Sequence, residues 1–191
     1  QIVPMPAQAE YNFYFTHDAL LTDLAAVNFD LDRVKNDLKY IINLADSDYT
    51  IPHAYYWKDT TFKTEFAGTE NWNHFWFTLV CARYFRHSGD MEFLNQLYSY
   101  IEKSIETGMK NKGEDDLMYS FRPDWWDIGN NYGPRAYMTI LAIRALREFN
   151  YVSTILQKDL SEIKLYDELA NRMNKKLVDT LWNNKLNYLT N

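Results

Sequence analysis

The residues best suited to chemistry lie in the segment 122–135, which reads RPDWWDIGNNYGPR. Two carboxylates, Asp124 and Asp127, lie beside the indole rings of Trp125 and Trp126. An indole offers a flat apolar face to the C–H side of a sugar ring, and contact with it desolvates a carboxylic acid and raises its pKa, as a general acid near neutral pH requires. The segment therefore indicates a carbohydrate site. The alternative is structural: the aspartates cap turns and the tryptophans close the end of a helix bundle.

Two further groups of candidate residues lie at the starts of helices. An aromatic run, 13–16, leads into His17 and Asp18, where the aspartate either caps backbone N–H groups or binds two sugar hydroxyls. Trp72 and His74 open an aromatic helix. For these two, capping and core packing are the default interpretation.

Composition excludes several classes of function. The 191 residues carry a net charge of −6 with no basic block, so nucleic acid is not an expected partner. No apolar run approaches the roughly 20 residues of a membrane-spanning helix, and no membrane partner is expected. The four histidines lack metal-ligand spacing and no phosphate or dinucleotide loop is present, so we expect no cofactor. The single cysteine, Cys81, is predicted to be a buried, inert thiol, and the cellular compartment stays open.

The elements that must position these residues are helices arranged in pairs. Apolar residues at helical spacing predict six helices, with Asp30, Thr69 and Asp90 as N-caps and Gly89 as a C-terminal stop. We expect Pro134 in the first turn of the fifth helix, which runs to about Phe149. The predicted ranges are listed here for comparison: 18–27, a helix beginning after Asp30, one after Thr69, 91–107, 134–149 and 160–182.

Three αα-hairpins recurring about every 60 residues, with no convincing strand pattern, predict an all-α hairpin array. The long aromatic loops between hairpins favour a closed toroid over an open solenoid, whose repeats are shorter. A toroid of six such hairpins needs about twice this length. We therefore expect residues 1–191 to form the N-terminal part, about half, of a single (α/α)6 toroid, with the remaining half as its partner.

The sequence resembles the catalytic domains of six-hairpin glycosidases, especially the glycogen-debranching and processing α-glucosidase types. Four segments match in order: Thr16-His-Asp18, Phe75-Trp-Phe77, Ser88-Gly-Asp-Met-Glu-Phe-Leu94, and Trp125-Trp-Asp127 followed by Gly-Pro-Arg135. The resemblance implies an inverting glycoside hydrolase acting on α-glucosidic or related oligo- or polysaccharides, with Asp127 as the general acid. It also implies sugar binding by Asp18. The residue types themselves make His17, Trp72, Asp124, Trp125, Trp126 and Arg135 further candidate substrate contacts.

The sequence departs from the family pattern at two places. His17 replaces the arginine that the family carries before the aspartate, and the acidic residue expected near Trp72 is absent. The general base, a late glutamate in the family, has no counterpart before Asn191, so we expect these 191 residues alone to be inactive. Two alternatives stay open: an epimerase or polysaccharide lyase that uses His17 and His74, or a glycan-binding module without catalysis.

Overall fold

The computed structural model describes residues 13–67, 72–120 and 132–190. Within these ranges the chain forms six α-helices and seven short β-strands. In chain order the elements are β1 (Phe13–Phe15), α1 (Thr16–Ala26), α2 (Leu31–Asn43), β2 (Ala54–Lys58), β3 (Thr61–Glu65), α3 (Asn73–Ser88), α4 (Met91–Met109), β4 (Tyr119–Ser120), β5 (Gly133–Pro134), α5 (Ala136–Ile155), α6 (Leu160–Leu181), β6 (Trp182–Asn183) and β7 (Tyr188–Leu189).

The helices form three hairpins, and their ends are set by the residues that the sequence predicted. The Asp30 carboxylate accepts a hydrogen bond from Arg33 N at 3.0 Å and caps α2. Gly89 ends α3 with a φ of 67°, in the left-handed region that glycine adopts without a steric penalty. Asp90 caps α4 by accepting from Phe93 N at 3.0 Å. These three predictions are confirmed.

The first helices of the three hairpins form one layer. α3 packs between α1 and α5, while α2, α4 and α6 each pack on their own hairpin partner. Because an antiparallel partner separates each member of the layer from the next, α1, α3 and α5 run in the same direction and their N-terminal ends lie at one end of the molecule. Fully buried Phe77, Leu97 and Leu146 belong to the core between the layers. This arrangement confirms the all-α hairpin array expected for half of an (α/α)6 toroid.

Short sheets lie in the segments that flank the helices, and the sequence did not predict them. β1, β2 and β3 form an antiparallel sheet in that order, with Phe13 opposite Tyr56 and Trp57 opposite Phe62. Tyr14 and Tyr55 pack their rings together below this sheet with a centroid distance of 5.1 Å. The aromatic loop predicted after α2 is therefore a hairpin in its middle part.

Three predicted helix boundaries need correction. α1 begins at Thr16 rather than Asp18, so that Asp18 lies inside the first turn instead of capping it. Pro134 pairs with Tyr119 in the β4–β5 ladder, and α5 begins at Ala136 and continues to Ile155. Proline fits this position because an edge pair of two residues does not need its missing N–H. Thr69, the predicted cap of α3, lies outside the described residues, and the described part of α3 begins at Asn73.

Cys81 is fully buried, as predicted, and burial raises the pKa of its thiol well above the ordinary value. Across the part of the chain that the structure describes, none of the helices combines the length and apolar character that a bilayer crossing requires.

Candidate functional site

Aromatic side chains join the N-terminal ends of α1, α3 and α5. The ring of His17, in the first turn of α1, lies 5.9 Å from the ring of Trp72 and 6.3 Å from that of Trp76, measured between centroids. Trp76 in turn donates a hydrogen bond from Nε1 to the Tyr137 hydroxyl at 3.0 Å. Side chains from three hairpins thus meet at one end of the layer, where long inter-hairpin segments also begin and end.

His17 combines a polar ring with an apolar setting. Its imidazole is half-buried, and its Nε2 atom has no hydrogen-bond partner among the described residues. Burial lowers the pKa of His17, nearby His53 lowers it further, and Asp18 opposes the shift. The lowered pKa favours a neutral imidazole, which can donate or accept one hydrogen bond to a sugar hydroxyl.

Asp18 is exposed and lies next to this cluster. Its position in the first turn of α1, after the N-cap position at Phe15, leaves its carboxylate unused as a helix cap. Two carboxylate oxygens that face solvent at the mouth of a site can accept hydrogen bonds from neighbouring hydroxyls. The structure therefore leaves Asp18 available for the role that the resemblance implies.

Trp72 forms the other side of the cluster. It is 9% exposed, and its Nε1 donor has no partner among the described residues. The ring of His53 lies 5.3 Å from it, and Asn73 Nδ2 donates to His53 Nδ1 at 3.0 Å. That bond makes Nδ1 the acceptor and leaves the proton of a neutral ring on Nε2.

Arg135 is the residue before the first turn of α5, and it is 7% exposed. Its backbone is fixed on both sides, because its N–H donates to Met118 O at 2.8 Å and its carbonyl accepts from the Thr139 hydroxyl at 2.7 Å. These two bonds fix the point in the backbone from which the Arg135 side chain extends. The structure thus places Arg135 at the same end of the layer as His17 and Trp72.

Five predicted residues lie outside the described residues: Asp124, Trp125, Trp126 and Asp127 in one segment, and Thr69 in another. The residues on either side of the first segment are described, and they pair with each other. Ser120 lies opposite Gly133, and Pro134 of the same ladder directly precedes Arg135. The chain therefore enters and leaves the segment that carries Asp127 beside the N-terminal end of α5.

His74, the second base of the alternative lyase or epimerase mechanism, points into the protein. It is fully buried, and its Nδ1 atom lies 3.4 Å from the Ser104 hydroxyl on α4. Burial, with Lys103 and Lys110 nearby, lowers the pKa of His74 to about 3. The core-packing interpretation is correct for His74, so of the two histidines named for that alternative, His17 is the one that lies at the candidate site.

Sequence reasoning missed His53, Trp76 and Tyr137. Trp76 was assigned to the buried stripe of α3, and Tyr137 was not singled out. Only the hydrogen bond between them, across 61 positions of sequence, identifies them as neighbours at the site. The sequence around His53 contains no motif or spacing that would have identified this histidine as a site residue.

Comparisons with known proteins agree with this architecture. The family model of the bacterial alpha-L-rhamnosidase six-hairpin glycosidase domain matches residues 3–191. None of the curated proteins matches the sequence. Several solved structures share the fold at low sequence identity.

A rhamnosidase from Klebsiella oxytoca with rhamnose bound is similar with a TM-score of 0.77 and 14% identity, over 98% of this chain and 36% of that one. A GH78 family rhamnosidase of Bacillus sp. GL1 is similar with a TM-score of 0.69 and 16% identity, over 91% of this chain and 18% of that one. A GH63 mannosylglycerate hydrolase from Thermus thermophilus in complex with glucose is similar with a TM-score of 0.69 and 12% identity, over 96% of this chain and 60% of that one.

The chain thus spans less than two thirds of the length of each of these structures. At such identities the structural likeness shows the fold alone, and it confirms the six-hairpin resemblance. The family model covers nearly every residue, and on that ground the chain belongs to the family of bacterial alpha-L-rhamnosidase six-hairpin glycosidase domains.

Proposed function

We propose that the complete protein is a glycoside hydrolase that acts on an oligo- or polysaccharide. The observation that carries this proposal is the meeting of His17, Trp72 and Trp76 at the shared end of α1, α3 and α5. Flat apolar rings with unused polar atoms beside them suit a pyranose, which has an apolar C–H face and hydroxyls at its rim. Membership of a glycosidase family supports the same conclusion.

In this proposal Asp127 is the general acid that protonates the glycosidic oxygen. In an inverting mechanism, a second carboxylate about 6.5–9.5 Å from the acid activates the attacking water. That base belongs to the remaining part of the toroid. Asp18, His17 and Arg135 hold sugar hydroxyls, while Trp72, Trp125 and Trp126 contact the sugar ring and Asp124 lies beside them.

The remaining half of the toroid is the proposed partner of these 191 residues. Large apolar side chains are exposed on the last hairpin and the strands after it. Leu165 is 57% exposed, Val178 51%, Trp182 41% and Tyr188 52%. Several large exposed apolar side chains within one hairpin and the strands that follow it suit coverage by another element. A further hairpin packed on α6 would bury them and continue the ring.

The sugar is best tested with a panel of aryl glycosides and the complete protein. The α-glucosidic preference follows from the resemblance of motifs, whereas the matching family model favours an α-L-rhamnoside. Release of the aryl group from α-L-rhamnoside, α-glucoside and α-mannoside would be followed by absorbance, and product anomers by NMR. Turnover of any member supports a hydrolase and ranks the sugars.

No turnover on the whole panel, together with sugar binding that survives, would contradict the hydrolase proposal. It would favour the glycan-binding alternative. Proton exchange at a sugar carbon that is lost in His17→Gln would instead favour the epimerase or lyase alternative, in which His17 is the proposed base.

A further inference from the structure

Two aspartates meet inside the first hairpin, away from the candidate site. Asp23 lies on the buried face of α1 and Asp37 on the buried face of α2, and both are 0% exposed. None of their four carboxylate oxygens has a hydrogen-bond partner among the described residues. Two carboxyl groups therefore share a closed space between the helices.

Within the described ranges, one cation, Arg33, faces this pair. Arg33 Nε lies 3.9 Å from Asp23 Oδ1 and 3.8 Å from Asp37 Oδ2, which is within ion-pair range but too long for a hydrogen bond. One guanidinium balances one carboxylate. A second ionised carboxylate would be a buried charge without a counter-ion, which is strongly unfavourable.

Among the residues that the structure describes, the other titratable groups around the pair do not supply a second positive charge. Tyr14 of β1 faces both carboxyls, and burial followed by the charge of Asp37 raises the pKa of its hydroxyl, so it stays neutral. Tyr40 of α2 and Tyr55 of β2 lie beyond Tyr14 in the same aromatic cluster, and Asp30 adds negative charge. Tyr84 of α3 donates its hydroxyl hydrogen bond to Asp90 and not to either aspartate of the pair.

We propose that Asp23 and Asp37 form an acid–carboxylate pair that shares one proton and thereby makes the α1–α2 contact dependent on pH. One proton between the two groups removes one negative charge and gives the pair the hydrogen bond that no neighbour supplies. The pair then carries a single charge, which Arg33 balances. The same logic governs any two carboxyls that are buried side by side.

The electrostatic surroundings of the pair support this assignment. Burial raises the pKa of Asp23 to about 8, and the neighbouring Asp37 carboxyl adds to the shift while Arg33 opposes it. In the unfolded chain an aspartate has a pKa of about 3.9, so the folded state holds a proton that the unfolded state releases. The contribution to stability is therefore fully present below about pH 4 and is lost as the pH rises towards the folded pKa.

The test compares the thermal unfolding of the complete protein at pH 5, 6, 7 and 8 with that of Asp23→Asn. While only the folded state holds the proton, the folding equilibrium constant falls by up to about tenfold per pH unit. We expect the melting temperature of the unmodified protein to fall across this range. In Asp23→Asn the slope should flatten, because the amide donates to Asp37 at every pH.

Asp32→Asn is the matched control, since Asp32 is an exposed aspartate on the same helix as Asp37. It should keep the slope of the unmodified protein. A second measurement needs no variant: the infrared spectrum at pH 6 should contain the band of a buried protonated carboxyl group. If Asp23→Asn does not fold, Asp37→Asn serves the same purpose.

Equal slopes in the unmodified protein and both asparagine variants, or an infrared spectrum without a protonated carboxyl band at pH 6, would overturn the proposal. Because the readouts are stability and a vibrational band, the outcome does not depend on whether the protein hydrolyses a glycoside.

Discussion

Gly108 allows α4 to approach the N-terminal turns of α3, and its replacement by alanine tests this packing quantitatively. A Cβ atom at this position would lie 2.6 Å from Cε1 and 2.7 Å from Cζ of Phe75, much closer than carbon atoms approach. Phe75 is 1% exposed, so its ring has no free space into which to move. Alanine in a helix gains at most about 1 kcal/mol over glycine, whereas overpacking a core costs about 1–3 kcal/mol.

The steric cost exceeds the gain in helix propensity. We therefore expect Gly108→Ala to destabilise the complete protein by roughly 1–2 kcal/mol. For a complete toroid of about twice this length, that lowers the melting temperature by roughly 1–3 °C, measurable by differential scanning calorimetry. The double variant Gly108→Ala/Phe75→Leu should lose less stability than the two single variants together, because the smaller leucine makes room for the alanine Cβ. A Gly108→Ala variant as stable as the unmodified protein would refute the packing argument.

Two further predictions follow from buried groups. Glu148 is 3% exposed and pairs with Arg86 at 2.5 Å and Arg144 at 2.6 Å, so Glu148→Gln should lower the free energy of unfolding by about 2–3 kcal/mol in a denaturant titration. This loss lies at or below the lower limit of the roughly 3–5 kcal/mol that removing one partner of a buried ion pair costs, because both arginines reach solvent. An unchanged denaturation midpoint would contradict the prediction. Cys81 should resist a thiol reagent in the native protein and react completely after denaturation, and rapid native labelling would mean that its helix opens.

The helices were predictable because their signals are local. Asp30, Gly89 and Asp90 fix helix ends through contacts within four residues along the chain, and such contacts are visible in a sequence. The boundaries of α1 and α5 were less accurate. Backbone pairing from distant segments fixes both, Thr16 N to His53 O and Arg135 N to Met118 O, and helical periodicity contains no information about those bonds.

Part of the candidate site was also predictable, because some of its residues carry local signals in the sequence. His17 was identifiable because it lies next to an aspartate at a helix start. Trp76 looks like any other aromatic residue of a buried stripe, and its role as the link between His17 and Tyr137 depends on three hairpins packing together. The β2–β3 hairpin escaped prediction because aromatic residues fill both faces of β2, which removes the alternation that marks a strand.

The most direct test of the central claim is the effect of Asp127→Asn on two substrates of the same sugar, one with a poor alkyl leaving group and one with an activated aryl leaving group. A missing proton donor should lower kcat about 10²- to 10⁴-fold on the poor leaving group. The loss should be much smaller on the aryl substrate, since a good leaving group departs without protonation. Asp124→Asn, in the same segment, is the matched control and should affect both substrates alike.

We expect this divergence between the two substrates for Asp127→Asn. Equal kcat values for the variant and the unmodified protein on the poor leaving group would show that Asp127 is not the acid.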